Sequence, residues 1–404
     1  MISEAYVWVW LPHADEPVPA GLVRQRADRL LFHYGRRYLN RDDAVSLYAP
    51  ELPLVDAWIE PLPDLDAPGC IADAAPDSWG QRIIENRLGV GHQPLLTYLT
   101  QAGSDRIGAL DFQRSPTEYV PRGVEQVELE DLALAAGRLS AGKPIPEALD
   151  SALRAGSSVG GARPKALLSD GGRSLIAKFE AATDTQPIVR GEFLAMHLAS
   201  RCGLCVAPVQ LTRAAGRDVL LVERFDRIPG TRRRKMVVSA LTMLELPEVA
   251  PREASYAKLA ELMLRRFADP HADRRELFAR IVFNVLSGNT DDHARNHAAF
   301  WDGHHLALTP AYDICPYPRG GGEATQAMII GSRDDPYRFS NLAGCIRYAH
   351  LYGLTGNDAA QIAHDQLDTI RAEWTEACEL ARLNHTEREV VRRVFPSDYA
   401  LQGL

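Results

Sequence analysis

The sequence lacks the long apolar runs and the closely spaced cysteines that mark membrane proteins and disulfide scaffolds. No stretch reaches the roughly 18 consecutive apolar residues that a transmembrane helix needs. The short apolar run Tyr6–Leu11 follows Glu4 rather than the basic segment of a signal peptide. The six cysteines are too sparse in 404 residues for a disulfide framework. We therefore expect a cytoplasmic protein that does not associate with membranes.

Excess positive charge is also missing, since the formal net charge is -8. A chain with this balance has no overall electrostatic attraction for nucleic acid. The one dense basic run, Arg232–Lys235, is short and is typical of a solvated loop. Direct binding to DNA is therefore not expected from the charge of the chain.

The length and the order of the predicted elements indicate several structural units. A chain of 404 residues is too long for a single small core. We predict a sheet-containing segment at 1–115, a segment of strands and helices at 124–240, and a mainly helical segment at 241–404, with the polar stretch Gln113–Gly123 as a linker. Sheet-rich and helix-rich parts in succession predict a two-lobed α+β fold. Ligands usually bind in the cleft of such a fold.

Local patterns place the elements that the functional argument needs. Apolar alternation and turn residues predict strands, and apolar residues three and four apart predict helices. The predicted strands are Tyr6–Leu11, Leu30–Tyr34, Ala44–Tyr48, Ala166–Leu168, Ser174–Phe179, Val206–Leu211, Val219–Glu223 and His304–Thr309. Two predicted helices begin near Asp77 and at Glu192, and three more span Tyr256–Phe267, Arg274–Leu286 and Asp358–Leu383.

The densest group of polar residues, Gly288–His297, directly follows an apolar helix. Asp291 and Asn296 have the Asp-x-x-x-x-Asn spacing of the protein-kinase catalytic loop. In that loop the aspartate accepts the proton of the substrate hydroxyl and the asparagine binds Mg²⁺. Asp313 follows the next predicted strand and is the natural second magnesium ligand. Asn289 and Thr290 stand where kinases usually have His-Arg.

The phosphates of a nucleotide need cationic and backbone donors, and these precede the loop. Glycine-containing Ser157–Lys165 offers backbone N–H groups, although it matches neither common phosphate-loop pattern. Lys178 lies on the next strand, and Glu192 opens the following helix, where it is placed to hold the lysine. The backbone of Glu223–Asp226 ends a strand before the helical half and is placed to contact adenine.

Each of these residues also has a plain structural interpretation. Lys178 is compatible with an ordinary strand lysine, Glu192 with a favourable charge at a helix N-terminus, and Asp313 with a helix cap. The order of the elements favours the functional interpretation. A glycine loop, a lysine, a glutamate, a strand exit, Asp-x-x-x-x-Asn, a strand and an aspartate follow one another as in a kinase.

The motifs resemble those of the HipA-like serine/threonine kinases, which are toxins of bacterial type II toxin–antitoxin modules. The resemblance covers nearly the whole chain and implies a two-lobed, protein-kinase-like fold with an extra N-terminal subdomain at 1–115. The matching segments are Pro76–Gly80, Ser158–Lys165, the strand ending in Lys178, Val222–Arg227, Thr290–Asn296 and Leu308–Asp313.

The resemblance implies a role for each matching residue. Asp291 would be the proton acceptor, Asn296 and Asp313 would bind Mg²⁺, and Glu192 would pair with Lys178. Ser158 would be the autophosphorylated serine, with Ser157 as the adjacent alternative. The implied ATP-binding residues are Gly160, Gly161, Ala162, Arg163, Pro164, Lys165, Lys178, Glu223, Arg224, Phe225, Asp226, His293, Asn296, Tyr312 and Asp313; Asp226 would reach the ribose.

The resemblance also implies partners. The usual partner is a small helix-turn-helix antitoxin, through which operator DNA is mainly bound, and the acidic net charge agrees with that arrangement. Known protein substrates of the family include aminoacyl-tRNA synthetases. Asp292 stands where many relatives have glycine, and we expect its side chain to point to solvent.

Two alternatives stay open. A metal-dependent hydrolase would use Asp292, His293, His297 and Asp313, and the two histidines have the spacing of a helical zinc pair. No glutamate follows the first histidine, however, so H-E-x-x-H is not met. The second alternative is a non-catalytic nucleotide-binding or antitoxin-docking protein, and the presence of Asp291, Asn296 and Asp313 argues against it.

Overall fold

The computed structural model describes residues 2–123, 127–143, 146, 163–181, 184, 186–248, 253–317 and 322–404. The chain forms two compact units. The first comprises Met1–Thr183, Thr212–Val238 and Phe300–His304, and the second comprises Asp184–Leu211, Ser239–Ala299 and His305–Leu404. Within the described ranges, every helix is too short or too polar to span a bilayer. The predicted linker 113–123 falls inside the first unit, and the predicted segment boundaries remain predictions.

The first unit begins with a four-stranded antiparallel sheet in the order β3-β2-β1-β4. Its strands are β1 (Glu4–Val9), β2 (Val18–Arg26), β3 (Arg29–Tyr34) and β4 (Leu110–Gln113). The first two strand predictions are confirmed, but the strand predicted at Ala44–Tyr48 is wrong. Backbone groups of this segment bond to tyrosine hydroxyls instead of to another strand. The hydroxyl of Tyr38 donates to the carbonyl of Val45 at 2.7 Å, and the N–H of Leu47 donates to the hydroxyl of Tyr34 at 2.9 Å.

Five helices of the described residues belong to this unit: α1 (Arg36–Leu39), α2 (Gly69–Ala72), α3 (Ser78–Leu88), α4 (Leu95–Gln101) and α5 (Leu129–Ser140). The predicted start of α3 is confirmed, because Asp77 occupies its N-cap position. The helix ends at Gly89, whose left-handed backbone (φ 65°) is the usual way to close a helix.

A second four-stranded sheet has the order β5-β6-β8-β7. Its strands are β5 (Lys165–Asp170), β6 (Arg173–Phe179), β7 (Val209–Ala214) and β8 (Arg217–Glu223). The predicted β5–β6 hairpin is confirmed, and Gly171 and Gly172 supply the positive φ angles of its turn. The strand predicted at Val206 begins instead at Val209, because Pro208 lacks the N–H that a ladder needs.

One face of this second sheet is buried against helices of the first unit. Leu175, Ala177 and Phe179 of β6 pack in a core with Trp79 of α3 and Leu132 of α5. Successive side chains of a strand point to opposite faces, so the residues between them lie on the other face of the sheet. Lys178 is one of those residues.

Most of the second unit is helical, with α6 (Ile188–Arg201), α7 (Ala240–Met243), α8 (Tyr256–Arg266), α9 (Pro270–Ser287), α10 (Leu342–Arg347), α11 (Gly356–Leu380), α12 (His385–Arg392) and α13 (Asp398–Leu401). The chain passes between the units within β7, β9 (Met236–Ser239) and β10 (Ala298–Trp301), and β11 (Leu306–Leu308) follows. The three predicted long helices correspond to α8, α9 and α11. Together with the antiparallel sheets, they confirm the α+β class.

Helix α9 carries the chain to the predicted catalytic loop. Asp269 caps its start, with Pro270 in the first turn, and every side chain from Arg280 to Ser287 is buried. The helix ends at Gly288, where φ is +69° and an added Cβ would lie 2.6 Å from the carbonyl oxygen of Val394. Glycine is required at this position, so the exit direction of the loop is fixed by the sequence.

Candidate active site

The loop after α9 folds back on itself and brings Asn296 to Asp291. The backbone N–H of His293 donates to the carbonyl of Asp291 at 2.8 Å, and that of Asn296 donates to the carbonyl of His293 at 2.8 Å. The side-chain amide of Asn296 then reaches the carbonyl of Asp291 at 3.4 Å. A short 3₁₀ turn, Ala294–Asn296, ends the loop. The two residues of the Asp-x-x-x-x-Asn pattern therefore lie together.

Asp291 has the accessibility and the electrostatic surroundings of a proton acceptor. Its side chain is exposed. Partial desolvation by the surrounding protein raises the pKa of its carboxyl, and the neighbouring carboxylates of Asp313 and Asp292 raise it further, whereas His293 lowers it. A carboxylate with a raised pKa accepts a proton more readily near neutral pH.

Asp313 is held near Asp291 in an uncommon backbone conformation. Its φ is +60°, in the left-handed region that residues other than glycine seldom occupy. Such residues persist where the surrounding structure holds them, and they are frequent at functional sites. Here Ala311 is fixed by N–H donation to the carbonyl of Cys205 at 2.8 Å, and the hydroxyl of Tyr312 donates to the carbonyl of Arg295 at 2.7 Å. Tyr312 thus joins the Asp313 segment to the loop.

Asn296 and Asp313 offer the kind of ligands that suit Mg²⁺. The side-chain amide of Asn296 directs its nitrogen to Asp291, so its oxygen can serve as a metal ligand. Asp313 adds a carboxylate. Magnesium favours a few protein oxygens combined with phosphate oxygens and water. Within the described part of the chain, no cluster of three or more His, Cys, Asp or Glu side chains is arranged to hold a metal ion. Two of the four residues of the hydrolase alternative, Asp292 and His297, are buried and hydrogen-bonded to each other, which does not favour that alternative.

The expectation that Asp292 points to solvent is wrong. Its side chain is buried, with 3 % of the residue exposed. Its Oδ2 atom accepts hydrogen bonds from the hydroxyl of Tyr256, from Nδ2 of Asn284 at 2.6 Å and from Nε2 of His297 at 2.7 Å. The sequence pattern does not reveal this group, because Tyr256 lies 36 residues before Asp292 and because spacing alone does not show that Asn284 and His297 turn toward it. The same contact engages the Nε2 atom of His297 in a hydrogen bond with Asp292.

His293 keeps one polar atom without a partner. The residue is half-buried, and its Nδ1 atom is buried and has no hydrogen-bond partner among the described residues. A polar atom in this state calls for a ligand or water. The predicted contact of His293 with the nucleotide phosphates is compatible with it and stays a prediction.

The predicted phosphate-binding residues of the first unit are only partly within the described ranges. Ser157, Ser158, Gly160, Gly161 and Ala162 lie outside them. Arg163 and Pro164 lead into β5, and the carbonyl of Pro164 accepts from Phe179 N–H at 2.9 Å.

Lys165 and Lys178 are directly opposite each other in the antiparallel pair β5–β6. Their side chains therefore share one face of the sheet, the face opposite Ala177 and the core. Two like charges at such positions repel each other, and an anion bound between them relieves that repulsion. Two lysines on the same face are compatible with the predicted phosphate contacts, which stay predictions.

The segment after β8 is held by a buried ion network, which changes the interpretation of Asp226. The residue is 1 % exposed. Its carboxylate accepts from Gly108 N–H at 2.7 Å and pairs with Arg224 at 2.9 Å and Arg227 at 2.8 Å. Burial opposes the charge of Asp226, but the two arginines outweigh it and lower the pKa of the carboxyl. Asp226 therefore has buried structural partners, and its predicted contact with the ribose stays a prediction.

Neighbouring residues of that segment have their own constraints. The guanidinium of Arg224 is fully buried and also donates to the carbonyl of Arg106 at 2.6 Å, while its backbone N–H donates to Ser174 O at 2.9 Å. Glu223 ends β8, and Phe225 packs edge-on against Phe300, with 5.8 Å between the ring centroids. The adenine contact of this backbone stays a prediction.

Glu192 does not open a helix as predicted. Helix α6 begins at Ile188, after Pro187, so Glu192 lies more than a turn inside it and is buried, with 4 % exposed. Proline suits the residues at a helix start because its missing N–H would have no partner there. A favourable charge at the helix N-terminus therefore does not explain Glu192. Its predicted pairing with Lys178 stays a prediction.

Comparison with known proteins agrees with the resemblance seen in the motifs. The family model described as HipA N-terminal domain matches residues 9–113, and the one described as HipA-like C-terminal domain matches residues 157–374. A Sinorhizobium fredii protein named "Putative kinase Y4mE" is 27% identical over 94% of this chain and 96% of its own. The serine/threonine-protein kinase toxin HipA of Shewanella oneidensis is 25% identical over 66% of this chain and 67% of its own.

A solved structure agrees as well. It is the toxin–antitoxin complex of Shewanella oneidensis MR-1 HipA with HipB and its operator DNA. The likeness has a TM-score of 0.73 at 21% identity and covers 97% of this chain and 95% of the other. It confirms the predicted HipA-like, α+β fold.

Proposed function

Because the chain belongs to the HipA-like family, whose C-terminal domain model alone matches more than half of it, we propose that it is an ATP-dependent serine/threonine protein kinase and a toxin. The observation that carries the proposal is the loop of the second unit. There Asp291, which is exposed, accepts the side-chain amide of Asn296 at its backbone carbonyl, and its carboxylate lies near that of Asp313. Its relatives are named as kinases, which supports the same chemistry.

In this proposal Asp291 accepts the proton of the substrate serine hydroxyl while the hydroxyl oxygen attacks the γ-phosphorus of ATP. The bond from that phosphorus to the bridging oxygen breaks, and ADP leaves. Kinase catalysis depends mainly on positioning and on electrostatic stabilisation of the transferred group. Asn296 and Asp313 would hold the divalent metal, which we assign as Mg²⁺ and which neutralises charge on the phosphate oxygens. The raised pKa of Asp291 supports its role as acceptor.

The remaining nucleotide contacts are assigned from position and charge. The paired ammonium groups of Lys165 and Lys178 would contact the phosphates, together with His293 and the loop 160–164. The backbone of Glu223–Phe225 would contact adenine. The buried Nδ1 atom of His293, which has no hydrogen-bond partner among the described residues, supports the assignment of His293 as a phosphate contact.

Regulation would act through Ser158, with Ser157 as the alternative. A phosphate on either serine adds nearly two negative charges at pH 7. Next to the nucleotide phosphates these charges would repel ATP, so the modified kinase would be inactive. This proposal rests on the family resemblance of Ser158–Lys165.

The partner would be a helix-turn-helix antitoxin that carries the operator contacts. The solved relative contains HipA together with HipB and operator DNA, and the net charge of -8 supports DNA contact mainly through the antitoxin. The substrate would be a cytoplasmic protein with an accessible serine, for which aminoacyl-tRNA synthetases are the first candidates to test.

The deciding experiment is transfer of radiolabel from [γ-³²P]ATP to the protein itself. We expect wild type to become labelled at Ser158, and the Asp291→Asn variant to lose labelling. Glu261→Gln is the matched control, because it makes the same change at an exposed carboxylate of α8 that pairs only with Arg265. Equal labelling of wild type and Asp291→Asn would overturn the assignment of the base, and an unlabelled wild type that does not bind ATP would overturn the kinase proposal.

A further inference from the structure

Asp292 is the point where three separate elements meet the catalytic loop. All three donors described above end on one atom, Oδ2 of this residue. Tyr256 belongs to the first turn of α8, Asn284 to the last turn of α9, and His297 follows the 3₁₀ turn that ends the loop. The loop is thereby tied to the body of the second unit from three directions.

Asn284 also fixes the beginning of the loop. While its Nδ2 donates to Asp292, its Oδ1 accepts from Nδ2 of Asn289 at 2.9 Å. Both asparagines are buried, with 2 % exposed each. One side chain of α9 therefore holds the loop on both sides of Asp291.

This side-chain network replaces regular backbone pairing. Residues Asn289–His293 belong to no helix or strand. Burying a carboxylate is costly unless it is hydrogen-bonded, and a buried polar network that is satisfied selects one conformation. Replacing a whole buried ionic group by well-packed apolar side chains is often neutral for stability, so stability of the fold does not by itself require a carboxylate here. The observed donors instead fix the residue adjacent in sequence to Asp291, where a shift of the backbone moves the reacting oxygen.

We propose that Asp292 is a positioning residue, held by Tyr256, Asn284 and His297, that places Asp291 for proton transfer. This proposal rests on the kinase function proposed above. The side chain of Asp292 itself contacts neither substrate nor metal. Its role is to fix the loop, so its loss should affect the chemical step more than the binding of ATP.

Tyr256→Phe tests the proposal with the smallest change, because only one hydroxyl is removed. Tyr352→Phe is the matched control: Tyr352 is buried in the same unit and donates its hydroxyl to the carbonyl of Ile330 at 2.7 Å, which is not part of the loop. Each variant loses a buried hydrogen bond, and the loss of stability should be larger in Tyr256→Phe because its acceptor is a carboxylate, so the unfolding free energy is measured for both. We expect kcat to fall by up to about 10²-fold in Tyr256→Phe, the effect of misplacing a reacting group by about 1 Å. The KM for ATP should not change.

The stoichiometry of ATP binding distinguishes a fall in kcat from a loss of folded protein. We expect this stoichiometry to be the same in both tyrosine variants as in wild type. Asp292→Asn, which keeps the size of the side chain but cannot accept all three donors with one oxygen while satisfying its own N–H groups, should show the same split between kcat and KM. Equal kcat in Tyr256→Phe and Tyr352→Phe would overturn the proposal.

Hydrogen–deuterium exchange keeps this test independent of the kinase proposal. In Tyr256→Phe the amides of the peptide covering Asn289–His297 should exchange faster than in wild type, and in Tyr352→Phe they should not. If wild type transferred no phosphate but the exchange differed in this way, the kinase function would fail and the positioning network would stand. Unchanged exchange in this peptide for both Tyr256→Phe and Asp292→Asn would show that the network does not hold the loop.

Discussion

Trp79 of α3 donates its indole N–H to the backbone carbonyl of Lys165 at 2.9 Å. The tryptophan is fully buried and belongs to the Pro76–Gly80 motif of the N-terminal domain, whereas Lys165 is the first residue of β5 and one of the predicted phosphate-binding residues. The two residues are far apart in sequence, and both belong to the first unit. A residue of the N-terminal domain therefore fixes the backbone at a predicted phosphate contact.

From this contact we predict that Trp79→Phe weakens ATP binding. The substitution leaves the Lys165 carbonyl without its donor, which costs about 1–3 kcal/mol for a buried group. Strand β5 should shift, so the Kd for ATP should rise several-fold, and the Tm of the protein should fall. Trp58→Phe is the control, since Trp58 is 41 % exposed and lies under the guanidinium of Arg24 at the surface. Isothermal titration with ATP measures both, and an unchanged Kd in Trp79→Phe would contradict the prediction.

Asp226→Asn separates a structural from a ribose-binding role of this residue. Removing the carboxylate leaves the buried cations Arg224 and Arg227 short of a partner, which typically costs about 3–5 kcal/mol. Denaturant unfolding should reveal that loss. Asp15→Asn, which breaks an exposed pair with Arg233, should cost about 1 kcal/mol or less. A variant of wild-type stability that bound ATP more weakly would instead favour the ribose contact.

The buried carboxylate of Asp111 should make stability depend on acidic pH. Burial opposes its charge, but Arg106 and Arg122 lower its pKa below the ordinary value. The folded state therefore holds fewer protons than the unfolded chain near and below the ordinary aspartate pKa of about 3.9. The stabilisation from Asp111 is complete above that value and is lost as pH falls toward the lowered pKa. The free energy of unfolding should thus decrease from about pH 5 downward.

Asp111→Asn provides the comparison for this pH dependence. The variant should be less stable at pH 7, and its stability should fall less steeply with acid than that of wild type. Asp15→Asn is the control, because Asp15 is exposed and pairs with Arg233 at the surface. Parallel curves for wild type and Asp111→Asn between pH 5 and pH 3 would contradict the assignment.

Spacing within one segment was enough to predict the centre of the site. Asp291 and Asn296 were recognised because a five-residue interval and a short loop bring them together, and the hairpin β5–β6 followed from a local turn and alternating residues. Long-range partners could not be predicted in this way. Tyr256 lies 36 residues from Asp292, and Gly108 lies 118 residues from Asp226. The nearer partners Asn284, His297, Arg224 and Arg227 could not be assigned either, because a sequence pattern does not say whether a charged side chain turns inward.

The start of α6 shows the same limit on a smaller scale. Glu192 is a good residue for a first turn, yet the helix begins at Ile188 because Pro187 is accepted there and the apolar face continues back to Val189. Local propensity predicts the helix correctly but places its first residue too late in the chain. For a residue predicted to pair with a lysine, that difference decides whether the carboxylate lies at a helix end or on a buried face.

Gly288 offers a direct test of how the end of α9 controls the loop. Gly288→Ala meets two obstacles, a positive φ of 69° and a Cβ position 2.6 Å from the backbone oxygen of Val394. Gly203 is the matched control, since its φ is +82° but nothing lies within 4 Å of the added Cβ. Gly203→Ala should therefore cost only the backbone strain, about 1–3 kcal/mol. Gly288→Ala should cost more and should also lower kcat, because the backbone that leaves the helix carries Asp291 three residues later. Urea unfolding and phosphoryl-transfer rates on the two variants check this; similar losses in both would mean that the loop tolerates a shift at its first residue.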